Sequence, residues 1–110
     1  MTMLKKVKKL YLSGKMSGLP DMGFGLFNRV AAQLRAIGYE VVNPVEINDD
    51  PEAEWLSCIK VDLDYLATCD GIALLPNWHD SFGAKIEHLA AQRLGLAVLN
   101  VEDLVTLEAA

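Results

Sequence analysis

The chain has 110 residues, the length of one domain with a single core, and its hydrophobic content of 52% excludes a disordered protein. No apolar run approaches the roughly 20 residues that a membrane-spanning helix needs, so we expect no membrane partner. The formal net charge is −5, and from residue 10 onward only six basic residues stand against 15 acids, which argues against binding of a long nucleic acid and favours a small molecule.

The first half of the chain predicts strand, helix and strand. Residues 7–13 form the first predicted strand, and the loop 14–21 that follows is rich in turn-forming residues. Apolar residues at three- and four-residue steps then predict a helix over 24–34, which Gly38 stops. A short strand follows at 39–42.

The second half predicts a similar alternation. Apolar periodicity predicts a helix over 55–68, and the continuous apolar run 71–75 predicts a strand covered on both faces at the centre of the sheet. Ser81 is placed to cap a helix that ends at residue 94. Residues 96–101 predict a fourth strand, also covered on both faces, and the tail 102–108 predicts a last short helix.

This order of elements predicts an α/β fold. Strands that alternate with helices through short loops imply a mostly parallel sheet of four to five strands with helices on both faces, and we expect one domain over residues 1–110. Ligands of such sheets bind at the carboxyl ends of the strands. The candidate loops are therefore 14–21, 43–51 (which begins with Asn43) and 76–81.

The helix after the central strand carries the most informative pattern. Ser81 puts a hydroxyl at the helix start, Gly83 allows a ligand to approach it closely, and Glu87 follows further along the helix. We expect the sheet-facing side of this helix to carry Ile86, Leu89, Ala90 and Leu94. Glu87 lies next to that side, where an unpaired carboxylate is costly, and a solvated Glu87 is the alternative.

Two acids on the preceding helix are a second candidate. Only one of Asp62 and Asp64 can face the site end of the sheet, and the alternative is that both are surface charges. Asp70, at the head of the central strand, is expected to hold the turn there. Cys58 and Cys69 lack the spacing of a zinc site or disulfide framework, so we expect no metal and a reducing, cytoplasmic location.

These residues together form a family pattern. Tyr11-x-x-Gly14 after the first strand, Asp62 eight residues before Asp70, and Ser81-x-Gly83-x-x-x-Glu87 resemble the nucleoside 2-deoxyribosyltransferase superfamily, and more closely its DUF4406 branch. The resemblance extends over residues 10–99. It implies a Rossmann-like or flavodoxin-like three-layer sandwich and an N-glycosidase or deoxyribosyltransferase without a cofactor.

The resemblance also implies a role for each matching residue. Glu87 would be the nucleophile that attacks the anomeric carbon of a nucleoside or nucleoside monophosphate, and Tyr11 would orient it by a hydrogen bond. Asp62 would contact the base or supply its proton. Ser81 and Gly83 would bind the sugar or a 5′-phosphate, and Gly14 would let the base or sugar approach the first loop.

Some positions depart from the family pattern. Ser17 stands where nucleotide-hydrolysing relatives tend to have arginine, and Lys15 is the only cation nearby in the loop. Trp78 either stacks on a base or packs against the protein, and His79 either assists proton transfer or is an exposed loop residue. Relatives also suggest a homo-oligomer, most simply a dimer. The competing function is a sensor that binds a nucleotide-derived ligand without turnover.

Overall fold

A computed structural model describes residues 6–48 and 54–107, and within them four strands form one parallel sheet. The strands are β1 (Lys9–Ser13), β2 (Glu40–Val42), β3 (Gly71–Leu74) and β4 (Ala97–Asn100). Their order is β2-β1-β3-β4, which is the flavodoxin-like order for the first four strands. The predicted α/β fold is confirmed, with every strand parallel.

The helices lie between these strands. They are α1 (Phe24–Ala36), α2 (Pro44–Ile47), α3 (Trp55–Leu66) and α4 (Phe82–Arg93), with 3-10 turns at Trp78–Asp80 and Val101–Asp103. The four-residue α2 was not predicted. It begins with a proline, which lacks the N–H that a helix start leaves unpaired. None of the helices in the described ranges is long and apolar enough to cross a membrane.

The tail prediction was wrong over the residues that the structure describes. In place of a helix over 102–108, a single 3-10 turn is followed by irregular chain through residue 107, and residue 108 lies outside the described ranges. The turn is closed by the N–H groups of Leu104 and Val105, which both donate to the carbonyl of Val101. Val105 and Thr106 are β-branched, which disfavours helix continuation.

The two faces of the sheet are covered by different helices. Leu10 and Leu12 of β1 pack into a core with Phe27 of α1, whereas Tyr11 packs on the opposite face in a core that includes Ala91 of α4. Alternate residues of a strand point to opposite faces, so one strand serves both cores. The expected three-layer arrangement follows.

The expectation that β4 is covered on both faces was wrong. Among the strands that the structure describes, β4 pairs only with β3 and lies at the edge of the sheet, where its residues alternate between half-buried and exposed and Val98 is 42% exposed. The second fully covered strand is β1, whose residues from Leu10 to Ser13 are all buried. Continuous apolar runs fit either position, because periodicity alone does not separate a covered strand from a short edge strand.

Asp70 fixes the start of β3 against the start of β1. Its Oδ2 accepts hydrogen bonds from the backbone N–H groups of Lys8 and Lys9, each at 3.0 Å. Asp70 is therefore structural, as expected, and its carboxylate aligns the starts of two central strands.

Candidate active site

The site begins on the strand β1. Tyr11 and Ser13 are two residues apart, so their side chains lie on the same face of the sheet, and both are fully buried. That face is covered by α4, where Glu87 lies one turn and a half from the helix start. The Tyr11 hydroxyl donates to Glu87 Oε2 at 2.7 Å, and the Ser13 hydroxyl donates to Glu87 Oε1 at 2.7 Å.

The buried side of α4 differs from the predicted one. Its buried residues are Ala84, Glu87 and Ala91, while Leu89 and Leu94 are each 54% exposed. Alanine side chains let the helix approach the sheet closely, and the hydrogen bonds from β1 satisfy the carboxylate that would otherwise be costly to bury. The solvated alternative for Glu87 is thereby excluded, since this residue is only 5% exposed.

Asp62 completes the cluster from α3. It is 7% exposed, whereas Asp64 is an exposed residue on the same helix. The Asn48 side-chain amide donates to Asp62 Oδ1 at 2.5 Å. The Asp62 carboxylate also lies close enough to Tyr11 and Glu87 to shift their ionisation. The structure thus brings together Tyr11, Asp62 and Glu87, the three residues predicted to carry chemistry.

Burial sets the protonation of this cluster. It raises the pKa of Glu87 to about 7, an effect that the donors Ser13 and Tyr11 oppose and the negative charge of Asp62 reinforces. Burial also raises the pKa of Asp62, although the bond from Asn48 opposes the shift. The pKa of Tyr11 is raised well above its ordinary value by burial and by both carboxylates, so the phenol remains a donor. Near neutral pH, the two acids can therefore hold a proton between them.

The loop after β1 packs against the loop after β3. A Cβ on Gly14 would lie 2.7 Å from Leu75 Cδ1 and 3.0 Å from Asn77 Oδ1, so only glycine fits this position. The same Asn77 oxygen accepts the backbone N–H of Lys15 at 2.9 Å. Ser17, further along the loop, is exposed. Packing of the two loops therefore requires glycine at position 14, whether or not a ligand binds there.

The start of α4 lies beside the start of α3. Ser81 caps α4, because its hydroxyl accepts the N–H of Ala84 at 3.1 Å. A Cβ on Gly83 would lie 3.3 Å from Ile59 Cδ1 and 3.9 Å from Trp55 Nε1, which leaves room for a small change. Ser81 and Gly83 are thus placed on the helix turn that precedes Glu87.

Two further candidate binding residues, Asn43 and Trp78, contact other parts of the protein. Asn43 is buried, and its side-chain oxygen accepts the N–H of Val45 at 3.1 Å, so it caps α2. Trp78 is half-buried, with its ring centroid 4.0 Å from that of His79 and 4.5 Å from that of His88. These contacts favour the packing alternative for Trp78.

Sequence reasoning missed Ser13 and Asn48, which hold the two carboxylates. Ser13 could have been found, because a residue two positions after Tyr11 on a strand must share its face. Asn48 carries no comparable signal, since its position depends on α2, which the sequence did not predict. Among residues 6–48 and 54–107, no three His, Cys, Asp or Glu side chains are grouped in a way that could hold a metal ion.

Comparison with known proteins agrees with this fold. A family profile described as "Domain of unknown function (DUF4406)" matches residues 8–100. No curated protein sequence matches the chain significantly. Among solved structures, a 2-deoxyribosyltransferase from Leishmania mexicana superposes with a TM-score of 0.67 at 22% identity, covering 84% of this chain and 63% of that enzyme. The chain therefore spans less than two thirds of that protein.

Two bacterial structures are also similar. A 2-deoxyribosyltransferase from Bacillus psychrosaccharolyticus has a TM-score of 0.65 at 25% identity, covering 84% of this chain and 70% of the enzyme. A CMP N-glycosidase from Clostridium botulinum has a TM-score of 0.58 at 22% identity, covering 84% of this chain and 67% of the enzyme. The shared feature is the α/β fold, with deoxyribosyltransferases and an N-glycosidase among its members.

Proposed function

The chain belongs to the DUF4406 family, and from the carboxylate cluster at its sheet we propose that it cleaves the N-glycosidic bond of a nucleoside or nucleoside monophosphate. The observation that carries this proposal is Glu87, a buried carboxylate with a hydrogen-bond donor on each oxygen and a second acid, Asp62, beside it. The likeness in fold to deoxyribosyltransferases and a CMP N-glycosidase supports the same chemistry.

The first step is an attack by Glu87 on the anomeric carbon. A carboxylate oxygen forms a bond to that carbon, the bond from carbon to the base nitrogen breaks, and its electron pair leaves with the base. The base takes a proton from Asp62, which requires that the proton shared by the two acids lies on Asp62 while Glu87 is ionised. The product of this step is a glycosyl ester of Glu87 and a released base.

The second step resolves the ester. Water or an acceptor base attacks the anomeric carbon from the face that the first base left, the bond to Glu87 breaks, and the carboxylate is regenerated. The attacking group loses its proton to the Asp62 carboxylate, which restores the acid for the next cycle. Two displacements at one carbon retain its configuration, as in retaining glycosidases.

The charges around the carboxylate cluster indicate how much negative charge a substrate can carry. The groups that shift the pKa values of Glu87 and Asp62 are neutral donors and other acids, and none of them is a cation. Lys15 is the cation that the sequence places closest to the pocket, and its backbone N–H donates to the Asn77 side chain. We therefore propose a neutral nucleoside or a singly phosphorylated nucleotide as the substrate, bound near Ser81 and Gly83.

In the deciding experiment, the protein is incubated with a panel of ribo- and deoxynucleosides, their monophosphates and NAD. Chromatography then detects any free base that is released. Glu87→Gln is the matched control, since it keeps the size of the side chain and removes the nucleophile. We expect base release by the wild type and at least about a 10³-fold loss in the variant, with ligand binding retained in a thermal-shift assay. A thermal shift without base release would instead support the sensor, and no release from any member would overturn the enzyme.

We also propose that the chain forms a homodimer in a reducing, cytoplasmic compartment. Several large apolar side chains are exposed, with Phe82 at 72% and Leu89 at 54%, and burial of such side chains stabilises an association. Cys69 is a buried thiol, which suits a compartment where disulfides are rare. Light scattering at micromolar concentration is expected to give twice the mass of the chain, and a monomer mass would overturn the dimer.

A further inference from the structure

Among the described residues that hydrogen-bond to Glu87, Ser13 is the one to which neither the family pattern nor the proposed mechanism gives a role. It is 0% exposed, it lies at the carboxyl end of β1, and its hydroxyl donates to Glu87 Oε1 at 2.7 Å. The Tyr11 hydroxyl, on the same strand, donates to the other oxygen of Glu87, Oε2. Glu87 is therefore held by two donors whose spacing is fixed by the backbone of one covered strand.

We propose that Ser13 is a positioning residue, whose hydroxyl fixes the plane of the Glu87 carboxylate and favours its ionised form inside the buried site. Its consequence for turnover rests on the proposed function above. Its effect on the ionisation of Glu87 does not, because that effect follows from the contact itself.

The first argument is the count of protons and acceptors. An ionised carboxylate only accepts, so both hydroxyl protons of Tyr11 and Ser13 have a partner when Glu87 is charged. A protonated Glu87 must place its own proton on one oxygen, and a hydroxyl that then accepts this proton has to direct its own elsewhere. In a site as buried as this one, an unpartnered hydroxyl is costly, so the pair of donors favours the ionised form and opposes the effect of burial.

The second argument is orientation. Residues two apart on a strand are separated by about 6.6 Å along its axis, so Tyr11 and Ser13 approach the carboxylate from different positions. Each hydroxyl donates to a different oxygen, Tyr11 to Oε2 and Ser13 to Oε1. A single donor would leave the group able to rotate about its last side-chain bond. Two donors on one strand remove that rotation, and a nucleophile gains rate from being held in one orientation before the reaction.

The test measures the ionisation of Glu87 directly, without any substrate. Carbon-13 labelling of glutamate side chains allows each carboxyl to be titrated by NMR, and the Glu87→Gln spectrum identifies the Glu87 signal by its absence. In Ser13→Ala we expect the pKa of Glu87 to move upward by about one unit, the effect of losing one hydrogen bond to a charged group. Ser57→Ala, on the exposed side of α3, is the matched control and should leave the signal unchanged.

Ser13→Cys gives the conservative comparison. A thiol is a weaker donor in a similar volume, so the pKa of Glu87 should rise by less than in Ser13→Ala. If the alanine variant does not fold, the cysteine variant carries the test by itself through its upward shift. An unchanged or lowered pKa of Glu87 in the folded variants would overturn the role of Ser13.

The outcome for Ser13 can be separated from the outcome for the enzyme. If the wild type releases base, Ser13→Ala should lower kcat with little change in KM, and the acid side of its pH profile should move upward together with the titration. A kcat and pH profile identical to those of the wild type would count against Ser13 even though the enzyme is active. If the wild type releases no base, the proposed function falls, while the titration still decides the contact.

Discussion

Tyr11 and Glu87 are 76 positions apart in the chain, and a 2.7 Å hydrogen bond joins them in the layer between the sheet and α4. Around them this layer is apolar, with Leu66, Ile72 and Ala91 in the same core. A core of this kind is usually more stable without a buried acid. The pairing of a fully buried phenol with a nearly fully buried carboxylate is thus a feature that stability alone does not favour, and function is the better explanation for it.

Tyr11→Phe tests this pairing. The phenylalanine ring fills the same space but donates no hydrogen bond, so the Glu87 carboxylate is less stabilised and less well oriented. We expect kcat to fall by about 10- to 100-fold, the effect of one hydrogen bond to a charged group. Tyr65→Phe, at a side chain that is 42% exposed on α3, is the matched control and should retain full activity. Equal rates for both variants would contradict a role for the Tyr11 hydroxyl.

Asp62→Asn tests the second carboxylate. The amide keeps the shape of the side chain but cannot supply a proton, so bases that need protonation to leave should be released about 100-fold or more slowly. A nucleoside methylated at N7 of the purine leaves as a neutral base without protonation. Its release should therefore be reduced much less by the variant. A similar loss on both substrates would show that Asp62 acts by contact rather than as an acid.

Much of the fold could be predicted from the sequence, because apolar periodicity and glycine punctuation are local signals. The strand at Gly71–Leu74 and the helix at Phe82–Arg93 lie close to where they were expected. The exposure of β4 could not be predicted, since the order of strands in a sheet is decided by which faces pack together and not by the strand's own composition.

The candidate site was predicted less completely. The family pattern selects Tyr11, Asp62 and Glu87, and the structure brings them together. The buried face of α4 was misjudged because its larger apolar residues, such as Leu89, were expected to face the sheet, whereas small alanines do so. Contacts such as that between Asn48 and Asp62 depend on the path of the chain between β2 and α3, for which the sequence offers no regular pattern.

A pair of glycine substitutions separates packing from ligand binding. In Gly14→Ala the new Cβ would lie 2.8 Å from the Cβ of the buried Leu75, which cannot move aside as a side-chain tip can, so we expect a loss of about 2 kcal/mol in urea unfolding. In Gly83→Ala the nearest atom is the tip of Ile59 at 3.3 Å, and the gain in helix propensity offsets this contact to within about 1 kcal/mol. Gly83→Ala should therefore fold normally.

The same Gly83→Ala variant then tests the proposed binding position. If a sugar or 5′-phosphate approaches the start of α4, the added methyl group should weaken ligand binding while leaving the fold unchanged. Unaltered affinity in a thermal-shift titration would place the ligand elsewhere. A Gly14→Ala variant as stable as the wild type would contradict the packing of the two loops.

The raised pKa of Glu87 predicts how stability depends on pH. The folded group titrates at about 7 and the unfolded one at its ordinary 4.5, so between these values the folded protein binds a proton that the unfolded chain has released. Stability from this group is therefore highest below the unfolded pKa and falls as pH rises toward the folded pKa.

Glutamine at position 87 does not titrate. Between about pH 4 and pH 8, Glu87→Gln should gain stability relative to the wild type by on the order of 3 kcal/mol in urea unfolding. Glu102→Gln, at an exposed residue, should show no such gain. Stability profiles of Glu87→Gln and wild type that run parallel across this range would mean that Glu87 titrates normally in the folded protein, and the buried carboxylate would then lack the electrostatic environment on which its proposed chemistry depends.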